Sequence, residues 1–296
     1  MVAVALAYLG LVSAIMIWRG ISVSPDYLLV LMVPLALLAG KFVRFLKDWV
    51  PFIALFLGWE AMRGIVGKTT PPLGAITYLL DVEKWLFFGH VPTVELQKLF
   101  GQDPSSGAPI VAVGYVAMVV YFCHFIFPVA LGMVMWLVDR VQFLRYTMAL
   151  LGMALVAFVI YVLVPTAPPW YAQDQNYICC FNHVLLHSIP SAISPYYQSL
   201  NPNHYAAFPS LHAAFPFLTF LALRRLYPRA AWLALAWCFV VWFSVVFLGE
   251  HYVVDVIGGI ALASAAWLVM MRLIVPRVAA LQEAEVPVDL PVEAVA

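Results

Sequence analysis

The chain has 296 residues, 65% of them hydrophobic and 10% charged, with 15 Lys and Arg against 15 Asp and Glu. Soluble domains carry roughly 25% charged residues. This composition and a mean hydropathy of +0.96 exclude a water-soluble core and define an integral membrane protein. The zero net charge offers no bulk attraction for nucleic acid, and four cysteines with no CxxC or Cys/His cluster point to neither a disulfide framework nor zinc.

Eight apolar segments follow one another, at about 2–18, 26–40, 49–66, 109–138, 146–164, 208–226, 230–248 and 252–275. A helical span needs roughly 20 residues. The second segment is short, and the fourth is long with Pro128 inside, where a kink is tolerated in a membrane helix. The first has no basic leader and no small-residue cleavage site, so it reads as a retained helix rather than a signal peptide. This predicts an all-α, polytopic membrane helix bundle.

Every second connection is basic, while 19–25 carries one arginine and the lysines of 67–108 are balanced by acidic residues. Lys41, Arg44 and Lys47 follow the second segment, Arg140 and Arg145 the fourth, Arg224, Arg225 and Arg229 the sixth, and Arg272 and Arg277 the end of the last. Residues 165–207 contain no Lys or Arg. The positive-inside rule puts both termini in the cytoplasm and turns 67–108 and 165–207 outward. Within 67–108, "LGAITYLLDVEKWLFFG" has helical spacing and an interfacial Trp85, so it reads as an amphipathic helix along the membrane surface. Pro92 and Thr93 open a second short helix before the Gly/Pro/Ser break at 101–109. The expected division is 1–66 N-terminal membrane helices, 67–108 extracytoplasmic interfacial segment, 109–277 catalytic membrane core, and a disordered Glu/Pro/Val-rich tail at 278–296. Cys123 and Cys238 read as small apolar helix residues. Cys179 and Cys180 are adjacent in a polar loop, which leaves a bridge open.

The outward ends collect the chemistry. His251 and Asp255 are four apart, one helical face, and a carboxylate so near a membrane helix start is costly without a partner. An Asp that accepts from one imidazole nitrogen leaves the other basic, fit for a nucleophile or base. A structural pair closing a helix end is the alternative. In "FPSLHA", Pro209 suits the first helical position, Ser210 adds a hydroxyl, and His212 stands near the exposed first-turn amides, a set that suits a phosphate. A histidine at the headgroup boundary is the alternative there. Taken together, one histidine can attack phosphorus while the other protonates the leaving oxygen, and no metal or other cofactor is required.

These motifs resemble the phosphatidic acid phosphatase type 2 superfamily, whose members share a six-helix membrane core and a metal-free mechanism through a phosphohistidine. The family's Pro-Ser-Gly-His reads here Pro209-Ser210-Leu211-His212. Its Ser-Arg, five residues, then His-x-x-x-Asp reads Ser244-Val245, five residues, then His251 to Asp255. The first motif, Lys, six residues, Arg-Pro, is absent, and Val245 replaces the arginine. Loss of those phosphate-holding cations is similar to the branch containing inositol phosphorylceramide and sphingomyelin synthases. "PTAPPWY" (165–171) and "HYVVDVIGG" resemble the former in particular, and "EAMRG" (60–64) and "YFCHF" (121–125) extend the likeness more weakly.

The resemblance implies His251 as nucleophile, Asp255 as its orienter, and His212 as the acid that later activates the acceptor. Candidates for holding phosphate or substrate are Ser210, Pro209, His204, Trp170, Tyr171, Arg63 and Lys68. Arg63 and Lys68 read equally as snorkelling cations, and Trp170 and Tyr171 as interface markers. His124 would be costly in the bundle without a partner, and Glu60 with Arg63 reads as a plain helix pair. The expected activity is transfer of a phospho-headgroup or phosphoryl group between membrane lipids. The alternative is a phosphatase acting on phosphatidic acid or a polyprenyl phosphate, and a transporter is the third reading. The expected partners are lipid substrates, with no nucleic acid and no obligatory protein, and the expected location is the plasma membrane with the active site on the extracytoplasmic face.

Overall fold

The computed structural model describes residues 2–18, 25–66, 73–105, 108–124, 126–185 and 205–276. Lys68, His204 and the 278–296 tail lie outside the described residues, as do the side chains of Glu60 and Arg63. Three helices come first: α1 (Val2–Trp18), α2 (Pro25–Leu38) and α3 (Phe42–Val66). Two short helices follow, α4 (Tyr78–Leu86) and α5 (Pro92–Leu99). Then come α6 (Ala112–Cys123), α7 (Ile126–Val138), α8 (Arg140–Leu163) and the single-turn α9 (Pro169–Asp174). The chain ends in α10 (Leu211–Leu226), α11 (Pro228–Phe247) and α12 (Val253–Val269), which a π-helical turn extends over Met270–Ile274. Among the described residues there is no strand, only an isolated bridge between Thr166 and Ala206. The all-α membrane bundle read from the sequence is the observed fold.

Each apolar segment holds a helix. Among the described residues four runs are long and apolar enough to cross a membrane: Ala112–Val138, Arg140–Leu163, Pro228–Phe247 and Val253–Ile274. The others are shorter, such as α2 with 14 residues and α10 with 16, or carry charge, as α3 does at its start.

α10 is the hub. It packs along α11 and α12 and touches α7 and α8, while α6 lies against α11. Lipid supplies no hydrophobic drive between helices, so close fit decides. Gly132 of α7 leaves room for Trp49 of α3, whose ring lies 4.9 Å from that of Phe143. A second cluster, Ala117, Val241, Val245 and Val256, joins α6, α11 and α12.

Local chemistry sets the ends. Asp139 caps α8, its carboxylate accepting from the Val141 and Gln142 amides at 3.0 and 3.2 Å. Beside it, Asp48 of α3 takes two bonds from the Arg140 guanidinium, at 2.6 and 2.9 Å, and one from the Trp136 indole at 3.0 Å. This is the basic end of the bundle. α4 is one-sided: Leu79, Leu80 and Glu83 are buried, whereas Val82, Trp85 and Leu86 are exposed. Beyond α9, Cys179 and Cys180 are joined to each other by a disulfide.

Candidate active site

α8 and α11 finish, and α10 and α12 begin, at the end opposite the Asp48–Arg140 pair. Ser210 is the N-cap of α10: its Oγ accepts from the Ala213 amide at 3.3 Å. The helix therefore starts at Leu211, and Pro209 stands just outside it rather than in its first turn. The Tyr161 hydroxyl, near the end of α8, donates to the Pro209 carbonyl at 2.8 Å. The Ser210 amide donates to the Asp255 carbonyl at 3.0 Å, which ties the starts of α10 and α12 together. Two glycines allow this approach. A Cβ at Gly259 would overlap the Ser210 carbonyl, and one at Gly258 would overlap the Phe208 ring.

α12 begins at Val253, so His251 precedes the helix instead of lying on its face. Its backbone is held from α11: the Glu250 and His251 amides both donate to the Val245 carbonyl, at 3.0 and 3.2 Å. Gly249 makes the preceding turn with φ 75°, a conformation that favours glycine. From this extended stretch His251 Nδ1 comes within 3.4 Å of Asp255 Oδ2, and the same oxygen accepts the Tyr252 amide at 2.8 Å. Asp255 is fully buried and His251 nearly so.

His251 Nε2 lies 3.1 Å from His212 Nδ1, one nitrogen donating to the other. The result is a continuous line from Asp255 through His251 to His212. Behind it, Tyr121 stacks on His212 with ring centres 4.7 Å apart, and His124 lies 4.3 Å away. His124 is buried and donates Nδ1–H to the Tyr121 carbonyl at 2.6 Å, so this intramembrane histidine has a partner on its own helix.

The remaining sequence candidates divide. Trp170 donates its amide to the Gly249 carbonyl at 3.0 Å and stacks on His183 at 5.0 Å. The Tyr171 hydroxyl bonds that of Tyr205 at 2.7 Å. Trp170 and Tyr171 both stand on α9. The positions of Arg63, Lys68 and His204 relative to the histidines are not among the described residues. Ser244 turns its hydroxyl back to the Val240 carbonyl at 2.7 Å, and Val245, where the family has arginine, is packed in the core.

Two features escaped the sequence reading. His183 Nε2 meets Glu250 Oε1 at 3.3 Å, a buried pair on the other side of the strand-like stretch that bears His251. Glu83 of α4 places its two carboxylate oxygens on the amides of Val253 and Val254, at 2.9 and 3.1 Å. Burial pushes its carboxyl up to about 7, against the lowering effect of those two amides. Its signal was present: Glu83 shares a helical face with Leu79 and Leu80, an acidic residue on a buried side. Among the described residues no cluster of His, Cys, Asp or Glu is arranged to hold a metal ion.

The bundle thus brings His212 and His251 together at one end of an all-α membrane-type fold. The family profile of the PAP2 superfamily matches residues 77–269, about two thirds of the chain, and the protein belongs to that superfamily. No curated protein matches, and no solved structure does.

Proposed function

We propose that the protein is a lipid phosphotransferase of the inositol phosphorylceramide synthase-like kind, working through a phosphohistidine. The observation that carries this reading is the placing in series of Asp255, His251 and His212, at 3.4 and 3.1 Å. Asp255 holds His251 Nδ1–H, so the Nε2 lone pair is the nucleophile. It attacks phosphorus, the bond from phosphorus to the leaving oxygen breaks, and that oxygen takes a proton from His212. The acceptor hydroxyl then gives its proton to His212 and attacks the phosphohistidine, the N–P bond breaks, and His251 is regenerated. A phosphorus seated at Nε2 takes the place of the resting contact between the histidines, so His212 swings aside to admit it.

The first turn of α10 supplies the phosphate cradle, with Pro209 and Ser210 shaping it. His204, Arg63 and Lys68 supply charge, and Trp170 and Tyr171 border the headgroup. Substitution of the family's arginine by a core Val245 favours a lipid-bound phosphodiester over a free phosphate dianion. The alternation of Lys and Arg supports cytoplasmic termini and an outward-facing site in the plasma membrane. The test is lipidomics of cells with the protein, without it, and with His251→Ala. The lipid lost in both of the latter names the product. Release of inorganic phosphate from phosphatidic acid by purified protein, with no lipid alcohol present and no gain on adding one, makes the protein a phosphatase instead.

A further inference from the structure

Glu83 of α4 is buried against the start of α12. Among the described residues it is, with Glu250, one of two buried carboxylates at this end of the bundle that the mechanism above leaves unused. It comes from the interfacial helix, about 170 residues upstream of the amides it binds. It is 1% exposed.

We propose that Glu83 is a positioning residue for the reaction at His251, acting through the first-turn amides of α12. The geometry is specific. The Val253 and Val254 amides go to Glu83 and the Tyr252 amide goes to Asp255, so two carboxylates take three successive donors at this helix start. A helix N-terminus binds anions through its unpaired amides and dipole. Here the anion is built into the protein and is anchored to a different element. Glu83 thereby fixes the height and rotation of the turn on which Asp255 stands, and through Asp255 the ring of His251. The amides of α12 are thus occupied by protein, which leaves phosphate to the start of α10.

The groups facing Glu83 are few. α4 packs against α12, which presents Asp255 with Tyr252 at its cap, and against the turn at Leu73–Ala75, which has no ionisable side chain. On its own helix Lys84 and Asp81 stand closest in sequence, with Tyr78 five positions before. Among these, Asp255 and Glu83 are the like charges whose proximity raises the cost of ionising both.

This inference rests on the phosphohistidine reading, and the experiment separates the two. The full chain is assayed in phosphatidylcholine vesicles with phosphatidylinositol as donor and ceramide as acceptor, and with phosphatidic acid alone. Glu83→Gln keeps one acceptor oxygen and is expected to lower kcat about tenfold with KM within about twofold, and Glu83→Ala on the order of 100-fold. Val253→Pro removes one of the same amides from the other side. Proline is favoured at that first helical position, and Tyr252 before it has φ −71° and ψ 158°, which a following proline accepts. It is expected to lower kcat to a similar degree, and the double variant to be no worse than the poorer single one. In wild type the acid limb of the kcat profile includes a component near pH 7 that Glu83→Gln removes. Folded variants with wild-type kcat, or losses that multiply in the double variant, overturn the proposal. Should Glu83→Gln not assemble, Val253→Pro decides alone, and failure of both to assemble overturns the proposal in favour of a purely structural cap. Turnover retained by His251→Ala overturns the phosphohistidine reading, whereas an inactive His251→Ala beside a wild-type Glu83→Gln overturns only the inference about Glu83.

Discussion

The two ends of the bundle bury carboxylates in opposite ways. At the basic end Asp48 is met by the guanidinium of Arg140 and the indole of Trp136, groups that keep their protons at every working pH. At the other end Asp255 and Glu83 are met by backbone amides and by histidine. An arginine pair is a permanent clamp, because neither partner changes charge. A histidine line keeps its protons movable, and movable protons are what acid–base chemistry needs. The charge balance of the first end holds helices together. On the proposed phosphohistidine reading, that of the second lets a negative substrate alter the balance.

Substitutions test this contrast, beginning with the largest effect. His251→Ala should reduce transfer by at least about 10⁴-fold, since removing a nucleophile from a cooperating set removes nearly all its acceleration. The measure is product formation and loss of phosphate labelling on the protein. His212→Ala should cost about 10²–10⁴-fold on a lipid donor. Much of that loss should vanish for a donor with a nitrophenyl leaving group, which departs without a proton. Gly259→Val should lower stability by about 1–3 kcal/mol, read as thermal unfolding in detergent, because its side chain must push the Ser210 carbonyl off α12. Activity should fall with it. Asp48→Asn should lower stability by about 1–3 kcal/mol while leaving turnover per folded molecule unchanged. Equal losses of turnover from the Asp48 and Glu83 variants would erase the distinction between the ends.

pH offers the mildest probe. Burial raises the Glu83 carboxyl to about 7, so the folded protein keeps a proton there that the unfolded chain releases at lower pH. The folded form binds more protons between about pH 4.5 and 7, and stability therefore falls as pH rises across that window and levels above it. The whole effect is at most about 3 kcal/mol. Melting curves of wild type against Glu83→Gln should show the slope only in the former.

The histidines and Asp255 were legible because their motifs are local and their spacing survives in one dimension. Their geometry was less so. The spacing of His251 and Asp255 reads as one helical face, yet the helix begins after His251, and the contact is made from an extended stretch pinned to Val245. Pro209 reads as a first helical residue, but Ser210 outcompetes it by capping. The membrane class was plain from composition, whereas the reach of individual helices was not, since α2 and α10 are shorter than their apolar segments. Glu83 showed in the sequence only as an acidic residue on a buried helical face, and what it binds was hidden. Its partners are backbone amides, which leave no mark in a sequence, and they belong to a helix far along the chain.

That distance has a consequence for how the protein is made. A chain threaded into the membrane from its N-terminus delivers Glu83 long before α12 exists to receive it. Until then an acidic side chain sits on the inner face of a short helix with nothing to bind. The start of α12, the last span among the described residues, closes over it. The site is therefore completed by the joining of an early piece to a late one, and a protein arrested before α12 emerges holds the carboxylate but not the catalyst.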